Sequence, residues 1–68
     1  MKISARNQLK GTVVDIQEGA VNAIVTIDVN GNQVVADITM GSVKNLGLEV
    51  GKEAYAVVKA TSVMVAVD

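Results

Sequence analysis

Cysteine and histidine are both missing from this 68-residue chain, and Tyr55 is its only aromatic residue. Without cysteine there is no disulfide, and with histidine missing as well a structural zinc site has no suitable ligand set. The same gaps remove the usual general acid–base and nucleophilic groups. Nor do carboxylates pair at catalytic spacing, since Asp15, Asp28 and Asp37 fall on separate predicted strands and read as solvated charges. Neither an enzyme, nor a cofactor, nor a bound metal cation is expected. Cations are few too: six Lys and Arg against seven Asp and Glu give a net charge of −1. That leaves no broad basic face for phosphates, and one tyrosine makes no stacking platform, so nucleic acid is not an expected partner.

Long hydrophobic runs are also lacking. No stretch approaches the roughly 20 apolar residues of a membrane span, and Met1–Arg6 has no apolar core of signal-peptide length. A cytoplasmic protein without a membrane partner is the expectation.

Apolar residues in short runs, by contrast, are abundant. Half the residues are hydrophobic and the mean hydropathy is +0.40. A chain this short forms one domain, 1–68, and buries only about 60% of its unfolded surface. Burial and ordering entropy then nearly cancel, so small domains need a staple. Oligomerisation is the staple left, with the apolar surplus buried between subunits.

Residues 10–17 are rich in β-branched side chains and end at the turn signal Glu18-Gly19. Residues 21–29 alternate, with Val21, Ala23, Val25, Ile27 and Val29 on one face. Asn30-Gly31-Asn32 closes a hairpin. The return strand, 33–40, puts Val34, Ala36, Ile38 and Met40 on one face, and residues 54–59 and 63–67 give two further strands. Between the third and fourth, Gly41–Gly47 reads as one helical turn, with Ser42 as N-cap and Gly47 as C-terminal stop. Gly47-Leu48-Glu49-Val50-Gly51-Lys52-Glu53 superficially follows a phosphate loop. It is one residue short between the glycines, and Glu53 stands where Ser or Thr should bind Mg²⁺, so a turn before a strand is the expectation. The fold class expected is all-β: a small five-stranded OB-like barrel with one short helical turn between strands 3 and 4. Ile24, Val35, Tyr55, Val57 and Met64 lie on outward faces, either covered by loops or forming a subunit interface.

Two polar runs stand out, Ser4-Ala5-Arg6-Asn7-Gln8 and Val57-Val58-Lys59-Ala60-Thr61-Ser62. Each sets one cation beside hydroxyl or amide groups, a combination that suits a small oxyanion. Thr39 and Ser42 flank the helical turn, where free backbone N–H groups favour an anion. The residues alone leave a plainer alternative open: Arg6 in a surface ion pair, Lys59 at a solvated strand end, Ser4 as a cap, and Thr61 and Ser62 in an ordinary turn.

Ser4-Ala5-Arg6-Asn7-Gln8-Leu9-Lys10-Gly11, Ile38-Thr39 with Ser42-Val43, Leu46-Gly47-Leu48, Gly51-Lys52-Glu53 and Val58-Lys59-Ala60-Thr61-Ser62-Val63-Met64 together resemble the molbindins, the Mop-type proteins that bind molybdate and tungstate. The resemblance spans essentially the whole chain. It implies an OB-like barrel assembled into a homohexamer, with molybdate or tungstate oxyanions held at subunit interfaces for intracellular storage, buffering or homeostasis. Ser4, Arg6, Thr39, Ser42 and Lys59 are the contacts it implies, completed by backbone amides near Met40, Gly41 and Ala60. It implies the free-standing form rather than the domain fused to a regulator or transporter ATPase. The alternative is an OB-type regulatory or assembly module with no oxyanion ligand.

Overall fold

The computed structural model describes residues Met1–Asp68. Its framework is one long strand, β1 (Asn7–Glu18), that serves two partners. Residues 7–12 pair antiparallel with β4 (Glu53–Val58), and residues 12–18 pair antiparallel with β2 (Asn22–Val29). β2 in turn pairs with β3 (Asn32–Thr39), giving a four-stranded sheet in the order β3-β2-β1-β4. The switch of partners falls at a bulge between Val13 and Asp15, which bends the strand and sharpens its twist. Gly11 sits just before it, where a Cβ would collide with the carbonyl oxygen of Asp28. The turn ahead of β4 is tied to the bulge, Val13 donating to the Lys52 carbonyl at 2.9 Å and accepting from the Gly51 amide at 2.8 Å.

The β2–β3 hairpin closes on two residues, Asn30 and Gly31, with φ of 51° and 89°. These are the left-handed conformations that match the strand twist. Asn32 already pairs with Val29 and belongs to the return strand. After β3 comes helix α1 (Met40–Leu46). Its N-cap is Thr39 and not Ser42: the backbone is still extended at Thr39 (ψ 151°), and its Oγ1 accepts from the Ser42 amide at 3.0 Å. Met40 is therefore the first helical residue rather than the end of the strand. Gly47 ends the helix in the left-handed conformation, φ 63°, as expected.

Val13, Ala23, Val25, Ile27, Val43 and Ala56 are the only buried residues. Val43 is the contribution of α1, which packs on β2 and β3, with Ile38, Met40 and Leu48 packed around the cluster.

The fifth strand is absent from the chain taken singly. Residues 60–62 form one 3₁₀ turn, and beyond it Met64, Val65 and Val67 are 92%, 91% and 92% exposed. A strand needs a neighbour to satisfy its backbone, and here the extended tail meets none. The sheet is consequently a half-barrel, with an apolar groove of about 650 Å³ lined by β3, β4 and the segments around them. Val34, Ile38, Leu48, Ala54, Tyr55 and Val57 are among its walls. The radius of gyration, 12.6 Å, exceeds the roughly 11 Å of a compact domain of this length. The 32 backbone–backbone hydrogen bonds amount to fewer than one per two residues, against about 0.7 in typical folds. Fourteen large hydrophobic side chains remain exposed.

Candidate functional site

The pairing of β1 with β4 decides where the cations go. Asn7 opposes Val58, so the residues just before β1 and just after β4 leave the sheet side by side. Ser4, Ala5, Arg6, Lys59, Ala60 and Thr61 line one open cavity of about 320 Å³ there. Gln8 secures the bend that leads into it, its Nε2 donating to the Ala5 carbonyl at 2.7 Å. On the other wall, the 3₁₀ turn is closed by Ser62 donating to the Lys59 carbonyl and Val63 to the Ala60 carbonyl. The amides of Ala60 and Thr61 make no hydrogen bond within the chain.

The cavity wall carries no carboxylate. Of the lysines elsewhere, Lys10 pairs with Glu53 at 3.3 Å and Lys52 donates to the Gly47 carbonyl at 3.2 Å, while Lys2 and Lys44 stand free. Arg6 and Lys59 form neither a salt bridge nor a side-chain hydrogen bond. Two uncompensated cations thus share a cavity with two hydroxyls and two free amides, an arrangement whose chemistry suits a small oxyanion.

Thr39, Met40, Gly41 and Ser42 are elsewhere. Thr39 pairs with Asn22, beside the Ala23–Glu18 end of the β1–β2 ladder. Arg6 and Thr39 are therefore separated by the whole of β1, about 35 Å of strand at ~3.3 Å per residue. Strand topology does not unite the two polar groups within one chain. Around α1, Thr39 Oγ1 also donates to Ser42 Oγ at 2.9 Å, which leaves the Ser42 hydroxyl hydrogen free. The Gly41 amide is unpaired, whereas the Met40 amide is not a spare donor, since it already donates to the Val21 carbonyl at 2.7 Å. Ala5 and Thr61, which lie in the two polar runs but outside the contact set implied by the resemblance, are also wall residues. The available signal was the strand pairing, which sets the residue two before β1 against those two and three beyond β4.

A TOBE domain model matches residues 3–65. A probable molybdenum-pterin-binding protein of Haemophilus influenzae is 64% identical over the full length of both chains. The solved structure of a molybdate binding protein from Sporomusa ovata superposes with a TM-score of 0.91 at 45% identity, covering 97% of this chain and 98% of that one. MopII from Clostridium pasteurianum superposes with a TM-score of 0.90 at 46% identity, covering 97% of this chain and all of the other.

Proposed function

This chain belongs to the TOBE-domain family, in its molbindin branch, and from that premise we propose that it is a binding protein for the molybdate or tungstate dianion. The observation that carries the proposal is the acid-free cavity in which Arg6 and Lys59 stand without partners between Ser4 and Thr61. Two cations neutralise the dianion, while hydroxyls and amides direct hydrogen bonds at its oxygens. Each charge-assisted bond is worth roughly 1.5–3 kcal/mol. Five or six offset desolvation and yield micromolar binding or better, about −8 kcal/mol. No chemistry is performed on the anion. Storage or buffering within the cytoplasm is the role this supports.

The site is completed by a second copy. Ser4, Arg6, Lys59 and Ala60 come from one subunit. Thr39, Gly41 and Ser42, at the far end of β1, come from a neighbour. The open half-barrel supports the same arrangement. Residues 63–67 of one copy, Val-Met-Val-Ala-Val, are an apolar strand without a sheet. The groove alongside β3 and β4 in another copy is an apolar sheet lacking a strand. Insertion restores the fifth strand and closes an OB-like barrel. The copy number we adopt is six, which the molbindin resemblance supplies.

Titration calorimetry with molybdate, tungstate, sulfate and phosphate tests the function directly. Saturable heat with the two larger oxyanions is the expected result. Absence of heat with any of them would leave an assembly module without a ligand and end the proposal.

A further inference from the structure

We propose that the Arg6–Lys59 cavity selects its ligand by protonation state: it takes oxyanions that carry no proton and rejects those of like size and charge that keep one. This inference rests on the oxyanion-binding function above and names the ligand class more narrowly.

The fixed polar groups of the wall are mostly donors. Arg6 and Lys59 have N–H groups and no acceptor, and the amides of Ala60 and Thr61 are unpaired donors. Carboxylates are absent from the wall. Glu53 is held by Lys10, and Asp37 accepts from Asn22 Nδ2 at 3.1 Å. Three of the wall's six carbonyls are engaged as well. That of Ala5 accepts from Gln8 at 2.7 Å, that of Lys59 from the Ser62 amide at 2.9 Å, and that of Ala60 from the Val63 amide at 3.3 Å. The hydroxyls of Ser4 and Thr61 remain. A hydroxyl that turns its lone pair to a ligand proton stops donating to the anion, so acceptance there costs a bond elsewhere.

A bare dianion such as molybdate, tungstate or selenate has only acceptor oxygens and matches this wall throughout. Hydrogen phosphate and hydrogen arsenate have the same charge but present one O–H, which the wall accepts only by giving up a hydroxyl's own donated bond. Once the neighbouring copy covers the cavity, an unsatisfied polar hydrogen there weakens binding by about 10- to 100-fold.

Selenate and arsenate isolate the effect, since they are close in size and near pH 8 differ chiefly by that one proton. Each is titrated as a competitor against molybdate bound to the full-length assembled protein at fixed ionic strength. Selenate should displace molybdate at a concentration at least ~10-fold lower than arsenate. Thr61→Asn, which adds one carbonyl acceptor to the wall, should narrow that ratio by about threefold or more. Equal competition by the two anions overturns the inference, as does failure of selenate to compete, which would place the selection in size. An unchanged ratio in Thr61→Asn removes the assignment to this wall. Molybdate itself reads the functional proposal separately. If it does not bind, both fall; if it binds and the two competitors are equal, only this inference falls.

Discussion

Val65→Asp separates folding of the chain from assembly of the protein. In the single chain Val65 is 91% exposed and the tail that carries it pairs with nothing. A charge there costs the monomer within about 0.5 kcal/mol, the ordinary range of a surface substitution. In the proposed assembly the tail would enter a groove lined by fifteen hydrophobic residues of sixteen. Val63, Val65 and Val67 then share one face of the inserted strand and Met64 and Ala66 the other. Burying a valine there contributes about 1.5–3 kcal/mol, and replacing it with an unpaired carboxylate adds an effective penalty of several kcal/mol. The sum exceeds ~4 kcal/mol per tail, or about a thousandfold in association. Val50→Asp is the control: it puts the same charge on a valine that is 63% exposed and outside the groove lining. Light scattering coupled to size exclusion should give a mass near six times 7.0 kDa for the parent and for Val50→Asp. Val65→Asp should run as a far smaller species with its strand content retained in circular dichroism, and its molybdate heat should vanish because the two half-sites no longer meet. A Val65→Asp protein that keeps the parent mass at micromolar concentration would refute the inserted strand.

Arg6→Ala and Lys59→Ala should each weaken molybdate binding by about 2–4 kcal/mol in calorimetry, because each leaves part of a dianion unpaired in a partly desolvated site. Lys10→Ala and Lys52→Ala should change it by under about 1 kcal/mol, as exposed charges do; similar losses for all four would mean diffuse attraction rather than a pocket. Gln8→Ala removes the hydrogen bond that holds the Ala5 carbonyl and should weaken binding by about 1 kcal/mol, while the oligomer mass stays unchanged. Affinity measured at constant ionic strength should be nearly flat from about pH 6 to 8.5, since a chain without histidine or cysteine has no side-chain type that ordinarily titrates there. A tenfold change across that interval would reveal a titrating group outside the two-cation scheme.

Local chemistry made much of the molecule legible in advance. The alternation, the Asn30-Gly31 turn and the Gly47 stop each depend on residues that act on their own backbone, and each is close to where the pattern puts it: the strand begins at Asn22, leaving Val21 exposed, and Asn32 already pairs in β3. Helix capping was less legible: Thr39 and Ser42 are both good caps, and the choice fell to Thr39 because β3 and the Val21 carbonyl hold the backbone extended until Met40 begins the helix. The length of β1 was hidden too. Residues 7–9 are strand because β4 lies beside them, a long-range partner that propensity does not see.

The cations themselves belong to the first kind of information and their setting to the second. That Arg6 and Lys59 sit in polar, hydroxyl-bearing runs is written in the chain, as is the want of any catalytic group around them. Composition likewise points to an apolar surplus, since half the residues are apolar and the single chain buries a core of only six. Only tertiary structure brought Arg6 and Lys59 to one cavity, through the register of Asn7 on Val58. Only tertiary structure left Thr39 and Ser42 a full strand-length away, and left residues 63–67 without a sheet. Composition is a sum over residues and needs no geometry; which residues meet depends on strand register and on where a sheet stops, and a strand's last partner can lie in another molecule.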